Sequence, residues 1–245
     1  FTATVAPLAP GSGTPSGTVT FKDGAATLGT GTLSGGVATF STSALSVASH
    51  SITAVYGGDS RFNPSTSSTL AQTVNKDATT TTLASSANPS VFNQAVTFTA
   101  NVTANSPGGG TPTGSVTFKD GTTALGTAAL STGQAAFTTS TLSVAAHSVT
   151  AVYNGDANLA ASTNSPSLTQ TVNKAASSVA LNASANPTVF GQPVIFTVSV
   201  SAVAPASGTP TGTVTFKDGA TPLATNTLVS GQASYTNATL AVAAH

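Results

Sequence analysis

Three histidines, His50, His147 and His245, are the residues of this 245-residue chain best suited to chemistry. An imidazole can move a proton near neutral pH, bind a metal, or hydrogen-bond through either ring nitrogen. Proton-transfer or nucleophilic catalysis needs a partner acid or hydroxyl within hydrogen-bond reach. Here the histidines stand about 97 residues apart, one per repeat of the sequence, so they do not converge. The six acids are all Asp, and each falls singly in a turn. The pattern assigns the histidines a structural role and names no catalytic residue.

Asp59 and Asp156 follow Tyr-x-Gly in a loop. Calcium takes six to eight oxygens, usually from several carboxylates. One Asp per loop is too few, so a turn-stabilising role is expected and the two remain weak metal candidates. Asp77 lies at a repeat junction, but its counterpart is Ala175, which argues against a repeated junction ion. No cofactor is expected, calcium being the one candidate. Lys22, Lys119 and Lys217 precede Asp-Gly pairs at hairpin tips, where a solvated amine is expected and not an isopeptide cross-link. Asn101, Asn182 and Asn237 head matches to the N-glycosylation sequon, a pattern that arises by chance in a chain this rich in Asn, Ser and Thr. Gly108-Gly109-Gly110 has no Lys-Ser/Thr partner and is not a phosphate loop.

The elements that position these residues follow from composition and repetition. Only 5% of residues are charged, against about 25% in an ordinary soluble protein. Hydrophobic content is 39%, enough for several small cores. Val and Thr are β-branched and suit strands, and the chain has no Glu, so little helix is expected. Net charge is zero and six cations are scattered, leaving no footprint for nucleic acid. No apolar run approaches the ~20 residues of a membrane span.

Gly17-Thr-Val-Thr-Phe-Lys-Asp-Gly24 returns as 114–121 and, identical, as 212–219. Ala54-Val-Tyr-Gly-Gly-Asp59 returns at 151–156, and Thr73-Val-Asn-Lys76 at 171–174. The period is 97–98 residues, the size of a small sandwich domain and well beyond a solenoid repeat. The middle copy alternates polar and apolar residues over seven segments: 79–84, 95–103, 115–119, 125–130, 135–142, 148–153 and 167–172. Turns separate them about every 8–12 residues. Asp23-Gly24, Asp120-Gly121 and Asp218-Gly219 are expected to supply the positive-φ residues of a tight hairpin. The fold class is therefore all-β, in tandem immunoglobulin-like β-sandwich domains of about seven strands. The divisions are 1–76, lacking its first strands; 77–174, complete; and 175–245, lacking its last strands. On that register the natural chain is expected to continue in both directions.

Immunoglobulin-like domains often carry a tyrosine before the penultimate strand whose hydroxyl bonds back to nearby backbone. In Leu45-Ser-Val-Ala-Ser-His50-Ser-Ile52 a histidine takes that place and Ile52 takes that of a cysteine. A histidine nitrogen can make the same backbone bond. Gly-Thr-Pro-Thr-Gly-x-Val-Thr-Phe-Lys-Asp-Gly, followed by Leu-Ser-Val-Ala-x-His-Ser-Val-Thr-Ala-Val-Tyr-x-Gly-Asp, resembles the bacterial Ig-like (Big) repeats. The resemblance covers essentially the whole chain. It implies spacers strung along surface or secreted proteins, and no catalytic residues.

Linkers of two or three residues without Gly or Pro leave little room to swing, so a semi-rigid rod is expected, with each domain adding about 35–45 Å. The expected function is a structural stalk, fibre or filament, extracellular or at the cell surface, and not an enzyme. A module binding glycans or host proteins through its end loops is one alternative, and a spacer in a larger secreted enzyme is another. A neutral Ser/Thr surface lacks charge repulsion, so other copies of the chain are the expected partners.

Overall fold

The computed structural model describes residues 1–245. It contains 21 strands and no helix, so no helix is long and apolar enough to cross a membrane. In the first repeat the strands are β1 (Thr2–Thr4), β2 (Thr18–Asp23), β3 (Ala26–Thr32), β4 (Val37–Thr39), β5 (Ser49–Tyr56), β6 (Ser65–Thr66) and β7 (Leu70–Thr73). The middle repeat has β8 (Thr79–Ser85), β9 (Ser90–Val91), β10 (Val96–Ala104), β11 (Ser115–Asp120), β12 (Thr123–Ala129), β13 (Gln134–Thr139), β14 (Ala146–Tyr153), β15 (Ser162–Thr163) and β16 (Leu168–Asn173). The third has β17 (Ser177–Ala183), β18 (Val194–Ala202), β19 (Thr213–Asp218), β20 (Thr221–Thr227) and β21 (Gln232–Asn237).

Each sheet draws its strands from one repeat. The first repeat pairs β1 with β4 and orders β3-β2-β5-β6, with β7 also on β5. The middle repeat orders β13-β10-β8 in one sheet and β12-β11-β14-β16-β9 in the other, with β15 on β14. The third orders β17-β18-β21 and pairs β19 with β20. By compactness the chain forms two units. One is Phe1–Thr79 with Ala104–Pro112 and Gly155–Ala161; the other is Thr80–Thr103, Thr113–Asn154 and Ser162–His245. Two loops of the middle repeat thus group with the first repeat, a division that does not follow the repeat period.

The two-residue period of a strand decides which side chains are buried. Val19 and Phe21 of β2 point inward, at 1% and 2% exposure, while Thr18 faces solvent. They meet Ala38 of β4, Tyr56 of β5, and Ala3 of β1, so one core joins both sheets and the layers form a sandwich. In the middle repeat Val96, Phe98, Ala100 and Val102 of β10 are buried, as are Val116 and Phe118 of β11 and Val149, Ala151 and Tyr153 of β14. The third repeat buries Val198, Phe216 and Ala233. Strand β17 is exposed along its length.

Each of the seven expected segments overlaps a strand. Two further strands, β9 and β15, are two residues long, too short to show any period. After β8 the chain leaves its sheet through Ala87-Asn88-Pro89 and β9 runs parallel to β16, in register Val172↔Ser90. Gln170, fully buried, holds this crossing: its Nε2 donates to Ala87 O at 2.9 Å and Ser90 Oγ at 3.1 Å, and its Oε1 accepts from Ser85 Oγ at 2.6 Å.

Candidate functional site

The hairpin β2–β3 turns over Gly24-Ala25, because Asp23 pairs with Ala26 as the last rung. Only the glycine has positive φ, +53° at Gly24, +54° at Gly121 and +58° at Gly219. The expectation that both Asp and Gly supply positive φ is therefore corrected. Each Asp is the final residue of its strand, β2, β11 or β19. Its extended backbone turns the carboxylate toward the neighbouring strand.

That carboxylate meets the histidine. His50 Nδ1 lies 2.6 Å from Asp23 Oδ2, and its Nε2 lies 2.9 Å from Ser46 O. The other carboxylate oxygen, Asp23 Oδ1, accepts from Ser51 N at 3.0 Å, while Gly24 N donates to Ser51 O at 2.9 Å. The middle repeat repeats the set: His147 lies 2.7 Å from Asp120 Oδ2 and 2.9 Å from Ser143 O, with Ser148 N on Asp120 Oδ1 and Gly121 N on Ser148 O. In the third, His245 lies 2.8 Å from Asp218 and 2.9 Å from Ala241 O. The histidine-to-backbone bond expected from the tyrosine position is thus present three times, and each imidazole is joined as well to the Asp of the Asp-Gly turn. Four groups in each of the first two repeats tie the hairpin end to the start of β5 or β14 and to the turn before it.

Sequence reasoning placed the Asp and the His separately and missed their union. The signal was available: the two residues are 27 apart in every copy. His50 and His147 are 8% exposed, His245 24%. Two acceptors face each imidazole, which favours its charged form. Acceptance by Ser46 O, then Asp23, raises the His50 pKa above its ordinary value. The same pair of bonds, to Ala241 O and Asp218, raises that of His245. At His147 burial pulls the pKa down, but the Ser143 and Asp120 bonds outweigh it and the net direction is upward. The bond from His50 holds the Asp23 carboxyl below its usual range.

The Asp59 carboxylate is surrounded by donors. Arg61 N at 2.7 Å and Phe62 N at 2.9 Å reach Oδ1; Ser16 N and Ser16 Oγ reach Oδ2 at 2.9 and 2.8 Å. The bonds from Arg61 and Ser16 hold it well below the usual carboxylate range. Asp156 Oδ1 likewise accepts from Asn158 N and Leu159 N at 2.9 and 2.8 Å. A cation needs oxygens about it, and these oxygens are turned to N–H and O–H groups. No three His, Cys, Asp or Glu side chains gather to hold a metal ion. Beside this loop the Tyr56 hydroxyl donates to Ser16 O at 2.8 Å, a backbone bond the motif Ala-Val-Tyr did not announce.

Asp77 bonds through its main chain to the loop that Asp156 opens: its N donates to Asn158 O at 2.9 Å and its O accepts from Ala160 N at 2.8 Å. Its carboxylate rests on Gly108, where a Cβ would come within 2.0 Å of the carboxyl carbon. Lys22 and Lys119 are partly exposed and Lys217 is exposed. Of the sequon asparagines, Asn101 and Asn182 are exposed, whereas Asn237 is buried and accepts from Thr239 N and Oγ1.

Fold and site together define a class: tandem immunoglobulin-like β-sandwiches whose recurrent polar chemistry serves their own turns. The family described as bacterial Ig-like domain (group 3) matches residues 1–75, 82–173 and 181–245. The chain belongs to that family. No curated protein sequence matches it. Among solved structures, the fibronectin(III)-like modules of Clostridium thermocellum CbhA share 18% identity over 67% of this chain and 82% of theirs, at a TM-score of 0.34, too low to carry an argument.

Proposed function

We propose that this chain is a non-catalytic spacer, a segment of a semi-rigid stalk, fibre or filament on or outside a bacterial cell. The features that recur support this role. Buried Phe21, Phe118 and Phe216, the Asp-Gly turns and the His–Asp contacts appear in all three repeats, and each serves internal packing or bonding. The family supports the placement, since such domains belong to surface and secreted proteins. Short connections support stiffness. Between β7 and β8, Val74 N still bonds Ala48 O and Asp77 N already bonds Asn158 O, leaving two residues between these anchors. Other copies of the chain are the proposed partners, through neutral Ser/Thr surfaces such as the Thr117–Thr127 and Thr215–Thr225 cross-strand pairs.

The test is a binding screen of the whole chain against glycan arrays and host surface proteins, beside sedimentation over a concentration series. The spacer reading expects no saturable glycan or protein ligand and self-association that rises with concentration. Tight binding of a glycan through the sandwich-end loops would replace it with the binding-module reading.

A further inference from the structure

Every histidine of the chain faces two acceptors and no donor: a carboxylate at Nδ1 and a carbonyl at Nε2. A neutral imidazole carries one N–H and can satisfy only one of them. We propose that the bridge from the Asp carboxylate through the histidine to the turn carbonyl is a proton-operated latch, closed in the imidazolium form and opened at its carbonyl end when the ring loses one proton, and that each repeat carries its own.

The geometry says which proton leaves and what moves. The carboxylate is the stronger acceptor, because hydrogen bonds to charged groups exceed those to neutral ones. Nδ1 therefore keeps its proton toward Asp23, Asp120 or Asp218. Nε2 loses its proton to solvent, and its lone pair is then left 2.9 Å from the oxygen of Ser46, Ser143 or Ala241. Two lone pairs repel at that distance, so the turn before β5 or β14 lets go while the Asp end stays bonded.

Around His50 and His147 the paired strands supply no competing charge. Across β14, Gln170 of β16 pairs with His147 and is neutral. Across β5, Gln72 of β7 pairs with His50 and is also neutral. On β11 and β2 the charged groups are Asp120 and Asp23 themselves and their neighbours Lys119 and Lys22. The lysines pair with Thr150 and Thr53 one rung away, on the alternate face of the strand. The hairpin partners Thr123 and Ala26 carry no charge. The latch thus answers to one carboxylate and to pH.

Imidazole nitrogen NMR on the whole 15N-labelled chain, titrated from pH 5 to 9, tests this. The expected result is a His147 that is doubly protonated on the acid side of its titration, with a midpoint above that of an ordinary histidine. The backbone amides of 140–145 shift with the same midpoint. Asp120→Asn keeps the shape and removes the charge, so it lowers the His147 midpoint while leaving those of His50 and His245 in place; each unit of lowering is a tenfold change in proton affinity. Should Asp120→Asn fail to fold, the unmodified chain still decides. A His147 midpoint at or below that of an ordinary histidine, or turn amides indifferent to its titration, would overturn the latch.

Discussion

At the scale of the residue, the recurrent unit is a histidine locked between a carboxylate and a carbonyl. Its contribution to stability has a defined sign. The folded pKa of His50, His147 and His245 is raised above the unfolded value near 6.5. Their contribution is therefore complete below about pH 6.5 and is lost as pH rises through the folded values. Asp23 and Asp59 are shifted downward, so theirs is complete above about pH 4 and lost as pH falls through the folded values. Thermal melting should show a plateau between about pH 4.5 and 6.5 and decline on both sides. A melting temperature that climbs steadily from pH 6 to 9 would be incompatible with this assignment. Gly121 is the second residue whose role is specific. Nothing lies within 4 Å of a Cβ placed there, so only its φ of +54° opposes a side chain. Gly121→Ala should cost about 1–2 kcal/mol, with Asn tolerated better; chemical denaturation of the two variants measures the difference.

At the scale of the element, strands were legible wherever apolar and polar residues alternate. Val116 and Phe118 announce β11, and Val96, Phe98, Ala100 and Val102 announce β10. Elements set by a single polar side chain were not. Strand β9 depends on Gln170 and Ser90, and no pattern in the chain distinguishes a buried Gln from the many exposed polar residues around it. The His–Asp pair escaped for a related reason: its members lie on different strands, and only the constant spacing of 27 joins them. Packing was visible as residue type and not as geometry. Phe40, Phe137 and Tyr235 occupy equivalent places, and their rings meet Phe21, Phe118 and Phe216 at 5.6, 5.7 and 5.7 Å. Gly29 and Gly126 make room for the first two, since a Cβ at Gly126 would stand 2.3 Å from the Phe137 ring. In the third repeat Ala224 fills this place and the rings sit at 37°, against 24° in the middle repeat. Gly126→Ala should therefore fold, tilt Phe137 and cost about 1–2 kcal/mol, the penalty of a modestly overfilled core. Phe118→Ala, at a fully buried site, should cost about 3–5 kcal/mol. Equal costs for the two variants in denaturant would contradict this view of the core.

At the scale of the whole molecule, the fold class followed from the 97–98-residue period together with the alternation and turn spacing inside it. The period could not reveal that loops 104–112 and 155–161 group with the first repeat. If the repeats form the semi-rigid spacer proposed above, the middle repeat should resist extension as one unit, and single-molecule stretching of the chain measures this. Cooperative unfolding of the middle repeat, taken as residues 77–174, should release a contour increment of about 300 Å: some 98 residues at up to ~3.6 Å each, less the folded span. A discrete force peak followed by that increment is the predicted record. Smooth extension without a peak, or release in small irregular steps, would contradict the claim.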